Sequence, residues 1–366
     1  MGLEKHFKDL RDFRVLGRCL YLLSDILILV LCGFLADCSD FSEIEDYGRD
    51  KIDFLRDELG LSLKNGIPSE DTIGRIFRHL EKGELEKSLR SCAQEVIGCF
   101  NKEHLCIDGK VLRGSGKDGK NSDSVHLVSV WLSAEKPSFT QVQVAAKSNE
   151  ITAIPKLLDT INCEGATITI DAIACQNTIT EKIIEKRADY LIALKANQGE
   201  LFEQVKDWLI NRKSSLPSFQ EVNKDHNRGE IRNTYVCQNL ELLEETHGWC
   251  GLKSIVMTES IRIVDDQKTT KNRFYISSLS EVDPQKYAKL VREHWGIENG
   301  LHWHLDVTFG EDQSMVWKDN GPANLSIVRK FALFLLSKEP TKISIKRKRK
   351  KAARDPEFLK KIINYA

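Results

Sequence analysis

The first hundred residues carry apolar side chains at helical spacings. This spacing predicts one helix within Arg14–Leu35 and a second helix within Gly66–Leu80. The letters PSED at 68–71 are typical of a helix start, since a serine can cap the helix and acidic residues suit its first turn. The apolar face of this second helix would be formed by Ile73, Ile76, Phe77 and Leu80. A helical unit of this size either binds DNA or packs on the following domain, and both interpretations stay open.

The best candidate for a membrane segment lies in the same region. It is the run ILILVLCGFL, from Ile26 to Leu35, which is flanked by Asp25, Asp37 and Asp40. A bilayer needs about 20 apolar residues, so this run is too short to cross one. It predicts a buried helix. No basic and hydrophobic leader opens the chain, and no secretory signal is expected.

From about residue 103 the pattern changes to short runs rich in β-branched residues, separated by polar or Gly-rich turns. The predicted order is β-β-β-α-β-α-β, which favours a mixed sheet covered by helices. The predicted strands are His104–Asp108, Val125–Leu132, Thr140–Ala145, Thr167–Asp171 and Tyr190–Leu194, and the predicted helices are Ile151–Thr160 and Asn177–Arg187.

The alternation stops after Asn197. A helix is predicted at Leu201–Ile210, and three runs then read as strands in a β-rich insertion: Asn233–Gln238, Lys253–Val264 and Arg273–Ser278. Helical spacing resumes from about Pro284. The predicted organisation is a helical domain at 1–100, the first part of a catalytic domain at 101–197, the insertion at 198–282, a catalytic helix region at 283–340 and a basic tail at 341–366.

Composition narrows the class of protein. The chain has 366 residues, with 54 Lys and Arg against 54 Asp and Glu, so net charge does not indicate a nucleic-acid partner. Any DNA contact must therefore come from local patches. The ten cysteines include no C-x-x-C pair, which disfavours a zinc ribbon and is typical of small buried residues in a reducing cytosol.

Two aspartates stand where apolar strands are predicted to end. Asp108 follows LCI and precedes a glycine, and Asp171 follows the alternating run TITI. Taken singly, Asp108 fits an ordinary Asp-Gly turn and Asp171 fits a helix cap. The first and fourth strands of a β-β-β-α-β unit can be neighbours in a mixed sheet, which would bring both carboxylates together. Oxygen ligands at that separation suit Mg²⁺ or Mn²⁺.

A third cluster of chemically active residues lies in Arg292–Asp312. His294, Glu298, His302 and Asp306 recur every four residues and are predicted to line one helix face. The tryptophans and aliphatic residues between them indicate a partly buried helix, where a glutamate needs a partner such as a metal ion. His294-x₃-Glu298-x₃-His302 also allows a zinc site, although the H-E-x-x-H spacing of zinc hydrolases is absent.

With these segments in view, the chain resembles insertion-sequence transposases of the H-repeat-associated (ISAs) type, within the DDE group. The resemblance runs over most of the chain. Its motifs are GIPSEDTIGRIF, IDGKVLRGS, HLVSVW, KSNEITAIPKLL, TIDAIACQ, ADYLIALKANQ and HWGIENGLHWHLDVTFGED.

This resemblance implies an RNase H-like fold in which the third acid arrives on a late helix after a β-rich insertion. Carried over residue by residue, Asp108, Asp171 and Glu298 take the catalytic, metal-binding roles. A related group has a Y-x₂-R-x₃-E-x₆-K signature, but here Val291, His294 and Leu305 hold the Tyr, Arg and Lys positions. The resemblance therefore does not imply the functions tied to those three residues, including a hairpin intermediate, and the cleavage route stays open.

The implied chemistry is DNA strand cleavage and strand transfer with two Mg²⁺ or Mn²⁺ ions. The expected partners are double-stranded DNA, as element ends and target, and a second copy of the chain during synapsis. Two other classes stay open, an inactive DNA-binding descendant of a transposase and a metal-dependent hydrolase of another substrate. The predicted phosphate contacts are Lys110, Arg113, Lys195, His294, Lys346, Arg347, Lys348, Arg349, Lys350 and Lys351.

Overall fold

The structure, a computed structural model, describes most of the chain. The described residues are 2–7, 10–15, 17–81, 83–97, 104–116, 124–132, 141–143, 150–225, 228–241, 243, 248–265 and 267–365.

The helices of the described residues follow in chain order. They are α1 Gly2–Phe7, α2 Leu23–Leu35, α3 Phe41–Asp50, α4 Glu70–His79, α5 Glu84–Ile97, α6 Glu150–Asp159, α7 Asn177–Glu185, α8 Gly199–Arg212, α9 Pro284–His294, α10 Gly321–Lys338, α11 Ile345–Arg354 and α12 Pro356–Ile363. π-Helical turns lie at Phe54–Glu58, Ile297–His302 and His304–Thr308.

The described strands are β1 His104–Leu112, β2 Val125–Leu132, β3 Gln141–Gln143, β4 Thr167–Ile170, β5 Asp189–Leu194, β6 Ser218–Asp225, β7 Arg228–Cys237, β8 Ser254–Val264 and β9 Gln267–Ser277. The chain divides into two compact units, and β1 contributes residues to both. The first unit comprises Met1–Cys99, Gly109–Ser148 and Glu298–Ala366, and the second comprises Phe100–Asp108 and Asn149–Ile297.

The first unit is mostly helical. Helix α2 is buried along nearly its whole length and packs against α3 and α10. Helix α4 begins where the sequence predicts, since the hydroxyl of Ser69 accepts a hydrogen bond from the backbone N–H of Thr72. The apolar face of α4 is buried as predicted, so this face packs within the protein.

The second unit holds a mixed sheet in the order β1-β4-β5-β9-β8-β7-β6. β1, β4 and β5 are parallel, and β5 pairs antiparallel with β9. β6 to β9 then form an antiparallel meander through the predicted insertion. This mixed parallel and antiparallel arrangement, with helices between the parallel strands, agrees with the predicted fold class.

Several predicted boundaries were wrong. Helix α2 begins at Leu23 rather than at Arg14, and β1 continues four residues past Asp108. Strand β6 was not predicted, because Ser218–Asp225 is polar and carries little apolar alternation. The predicted basic tail contains two packed helices, α11 and α12. None of the described helices is long and apolar enough to cross a membrane.

Candidate active site

Asp108 and Asp171 follow residues that are paired in two neighbouring strands. β1 and β4 run parallel, and their pairing register ends at Ile107 opposite Ile170. Asp108 directly follows Ile107, and Asp171 directly follows Ile170. Adjacent strands lie about 4.8 Å apart, so the backbones of the two aspartates are neighbours at this end of the pair. The predicted adjacency of the two strands is confirmed.

The two aspartates also share one face of the sheet. Cys106 and Thr169 are register partners, and side chains two residues apart in a strand point to the same face. Asp108 lies inside β1, and the backbone of Asp171 is extended with φ −71° and ψ 165°. Alternation therefore continues to both acids, which point to the face that carries Thr169.

A cation already accompanies one of these acids. The ammonium group of Lys195 donates to both carboxylate oxygens of Asp171, at 3.2 and 3.4 Å, and both side chains are about half exposed or more. The Asp171 carboxylate is therefore exposed to solvent and already forms an ion pair with a cation. Two carboxylates on adjacent strands supply the hard oxygen donors that Mg²⁺ and Mn²⁺ prefer, so the residues fit a divalent ion.

A hydrogen-bonded network lies on the same sheet face. His104 Nδ1 donates to the Glu293 carboxylate at 2.8 Å, and His104 Nε2 lies 2.8 Å from the Thr169 hydroxyl. The same hydroxyl lies 2.9 Å from His294 Nδ1. The hydrogen bond from His104 holds the pKa of Glu293 below its usual range. This network ties the C-terminal turn of α9 to β1 and β4.

Burial governs the charge of His294. Burial, with a contribution from His104, lowers the pKa of His294 to about 4. The ring is therefore neutral near pH 7 and offers no positive charge to a phosphate. With Nδ1 occupied by Thr169, the structure argues against the predicted DNA contact of His294.

The segment that carries Glu298 is not a regular α-helix. Helix α9 ends at His294, and the chain continues through π-helical turns at Ile297–His302 and His304–Thr308. The prediction of one regular α-helix through this segment is wrong, because turns with i→i+5 hydrogen bonds replace the α-helix after His294. The backbone of Glu298 lies in the first π-helical turn, and its side chain lies outside the described residues.

Lys110 is engaged in an ion cluster within the first unit. Its ammonium group donates to the carboxylates of Asp306 and Glu311, and only 9% of its side chain is exposed. These ion pairs and the burial of the side chain argue against the predicted phosphate contact of Lys110. Asp306 is likewise committed to Lys110.

Next to this cluster is an open cavity of about 390 Å³. It is lined by Gly109, Lys110, Val111, Arg113, His126, His302, Asp306 and Asp312. Arg113 lies 3.8 Å from Asp312, but 74% of its side chain remains exposed. Arg113 thus keeps a solvent-accessible guanidinium group beside the cavity, as a phosphate contact requires.

The basic run Ile345–Arg354 forms an amphipathic helix. Lys348 and Arg349 are buried and donate to backbone carbonyls, which argues against their predicted DNA contacts. Lys351 is half-buried, with its ammonium 4.2 Å from the ring centre of Phe358. The side chains that stay exposed are Lys346, Arg347, Lys350 and Arg354.

Sequence reasoning singled out His294 but missed the other residues of the network. His104 lies four residues before Asp108 in β1, and Thr169 lies two residues before Asp171 at the end of β4. Because side chains alternate between the two faces of a strand, both residues lie on the face of the aspartates. The alternation of His104, Cys106 and Asp108 is visible in the sequence and could have indicated this face. The link from Glu293 and His294 back to the strands has no local sequence signal.

Among the described residues, no group of three or more His, Cys, Asp or Glu side chains is arranged to hold a metal ion. The side chain of Glu298 is outside that set. The assignment of Glu298 as a third acidic ligand therefore stays a prediction.

Comparison with known protein families agrees with the fold. The family model described as Transposase DDE domain matches residues 100–335, and a model described as DDE_Tnp_1-associated matches residues 4–92. The chain belongs to the DDE transposase family, and its mixed sheet with flanking helices is of the RNase H-like type.

Similar proteins extend the match over almost the whole chain. "Putative transposase YncI" of Escherichia coli O157:H7 is 36% identical over 373 residues, covering 99% of this chain and 94% of the relative. "H repeat-associated putative transposase YhhI" of Escherichia coli strain K12 is 33% identical over 370 residues, covering 99% and 97%. Membership of this family implies DNA as substrate, and DDE transposase domains generally use divalent metal ions.

Proposed function

We propose that this chain is an active DNA transposase in which Asp108, Asp171 and Glu298 hold two Mg²⁺ or Mn²⁺ ions for strand cleavage and strand transfer. The observation that carries the proposal is the register of β1 and β4, which ends one residue before both aspartates. Neighbouring parallel strands deliver the two carboxylates to one face and one end of the sheet.

The third acid is assigned by the family resemblance, and the hydrogen bonds of two neighbouring acids are compatible with that choice. Glu293 is bonded to His104, and Asp306 is bonded to Lys110. Both carboxylates are therefore committed to protein cations or donors. Glu298 is the acid of this segment that matches the glutamate of the family motif.

Divalent ions, when bound, would activate the attacking oxygen and neutralise charge on the phosphate and the leaving oxygen. The protein supplies the carboxylate ligands and the surrounding cations. Lys195, held at Asp171, and the exposed guanidinium of Arg113 are suited to contact DNA phosphates. No covalent intermediate with the protein is required.

The expected substrates are the two ends of an insertion sequence and a target duplex. We further infer that two copies of the chain act together, since two element ends must be cut and joined in one event. The exposed basic face of α11, formed by Lys346, Arg347 and Lys350, adds positive charge for duplex DNA.

The experiment is cleavage of a labelled element end by the purified full chain with Mg²⁺. Wild-type protein should cut the labelled strand, whereas Asp108→Asn, Asp171→Asn and Glu298→Gln should not cut but should still bind the DNA. Asp159→Asn is the matched control, because Asp159 is an exposed acid of the same unit as Asp108 and Asp171 and pairs with Lys182 and Lys186. It should cut like wild type.

Each outcome has a distinct meaning. Cleavage by any one of the three site variants at the wild-type rate would remove that residue from the proposed ligand set. Tight binding without cleavage by the wild-type chain would overturn the proposed activity and favour an inactive DNA-binding descendant. Cleavage that requires Zn²⁺ rather than Mg²⁺ or Mn²⁺ would favour the hydrolase alternative.

A further inference from the structure

Thr169 lies at the centre of the network that joins α9 to β1 and β4. Its hydroxyl oxygen is 2.8 Å from His104 Nε2 and 2.9 Å from His294 Nδ1, and only 2% of the residue is exposed. His104 is in turn anchored by the carboxylate of Glu293. The Cys106 thiol, which belongs to the register partner of Thr169, lies 3.7 Å from the backbone carbonyl oxygen of Glu293.

One hydroxyl group carries one hydrogen, so it can donate to one ring and must accept from the other. Whichever direction is taken, the positions of the protons on His104 and His294 are linked through Thr169. A valine at this position would have the same shape but would leave one nitrogen of each ring without this partner. Buried polar groups without a partner are costly, so the network favours a threonine or serine hydroxyl at this position.

The network is close to the proposed metal ligands. Thr169 and Asp171 share one sheet face and are separated by two residues, or about 6.6 Å along the strand. The charge of Asp171 acts on the ring of His294. His294 also ends α9, and the chain reaches Glu298 four residues later. The network therefore orders both the strands that carry the aspartates and the helix end that leads to the third acid.

We propose that Thr169 is a positioning residue for the metal-dependent reaction, acting through His104 and His294. This inference rests on the proposed function. Removing a group that hydrogen-bonds to a metal ligand and orients it typically lowers metal affinity or activity about 10- to 100-fold. Thr169 acts one step further back than such groups, because its hydroxyl bonds to His104 and His294 rather than to Asp108 or Asp171. Its effect should therefore lie at the lower end of that range.

The test compares Thr169→Val with Thr169→Ser in the full chain. Thr169→Val should lower the Mg²⁺-dependent cleavage rate about 10-fold and raise the Mn²⁺ concentration needed for half-maximal thermal stabilisation. Thr169→Ser keeps the hydroxyl and should restore most of the rate and the Mn²⁺ response. A role limited to packing would give the opposite order, since valine fills the space better than serine does.

Thr180→Val is the matched control. Thr180 is a fully buried threonine of the same unit whose hydroxyl donates to the backbone carbonyl of Asn177. This variant should lose a comparable amount of stability and keep the wild-type rate and Mn²⁺ response. If Thr169→Val keeps the wild-type rate and response while Asp171→Asn is inactive, the positioning role alone is overturned. If the wild-type chain shows neither cleavage nor stabilisation by Mn²⁺, the proposed function is overturned and this inference with it.

Discussion

The ammonium group of Lys110 donates a hydrogen bond to Glu311, with 2.8 Å between Nζ and Oε2. Lys110 also bonds to Asp306, and Glu311 is 2% exposed. Burial works to raise the pKa of Glu311, but the charges of Lys110, Lys330 and Arg329 outweigh it and hold that pKa below its usual range. The pair thus joins the last residues of β1 to the turns that follow the π-helical segment.

Replacing Lys110 with methionine should destabilise the protein strongly. The substitution leaves the buried Glu311 carboxylate without the ammonium group that donates to it, which typically costs about 3–5 kcal/mol. Chemical denaturation would measure the loss. Lys206→Met is the control, since Lys206 pairs with Glu203 on the surface and its removal should cost less than about 1 kcal/mol. Equal losses of stability for the two variants would show that the buried cluster contributes no special stability.

The Lys110 cluster illustrates a limit of sequence reasoning. The sequence places Lys110 two residues after Asp108, where a phosphate contact is a reasonable expectation. Its partners, Asp306 and Glu311, lie about 200 residues away in the chain, and no local pattern indicates that they approach it. The burial of Lys348 and Arg349 escaped prediction for the same reason.

Other features could be predicted from the sequence because they depend on local sequence patterns or on the usual order of strands in a sheet. The start of α4 follows from a capping serine, and the adjacency of β1 and β4 follows from the usual connections of a mixed sheet. The π-helical turns after α9 could not be predicted, because the four-residue spacing of His294, Glu298 and His302 suggests an ordinary helix. The assignment of Glu298 as the third acid stays a prediction.

Arg349 should be essential for stability despite its place in a basic run. Its guanidinium donates to the carbonyl oxygens of Phe34 and Cys38, each at 2.8 Å, and to that of Thr308. Arg349→Met leaves these buried acceptors unpaired and should cost at least about 2 kcal/mol. Arg347→Met, on the exposed side of the same helix, should change thermal stability little. A matching drop in both melting temperatures would contradict the buried role of Arg349.

Stability should fall in mild acid because of His302. Burial, aided by Lys110 and Lys330, lowers the pKa of His302 from 6.5 to about 3. Below pH 6.5 the unfolded chain takes up a proton that the folded chain refuses, so the free energy of unfolding falls as pH drops towards 3. The slope from this group approaches about 1.4 kcal/mol per pH unit. Unfolding measured between pH 7.5 and 5 should show a shallower dependence for His302→Gln, and parallel curves would exclude this linkage.

The exposed face of α11 should contribute to DNA affinity through charge. Truncating the chain before this helix would expose buried side chains, so substitutions are the better test. Lys346→Gln, Arg347→Gln and Lys350→Gln together should weaken binding and flatten its salt dependence, by about 0.9 in the logarithmic slope for each phosphate group that is no longer neutralised. The charge-conserving set Lys346→Arg, Arg347→Lys and Lys350→Arg should keep the slope. An unchanged slope in the glutamine variant would mean that this face does not touch DNA.

The choice of the third acid can be tested by changing its metal preference. Thiolate is a softer ligand than carboxylate, and Mn²⁺ accepts it more readily than Mg²⁺ does. Glu298→Cys should therefore be inactive in DNA cleavage with Mg²⁺ and recover activity with Mn²⁺. Asp306→Cys is the matched variant, because Asp306 lies in the same segment but is bonded to Lys110. It should show no recovery that depends on the metal. The reverse result, with recovery by Asp306→Cys alone, would move the third ligand to Asp306 and leave the assignments of Asp108 and Asp171 in place.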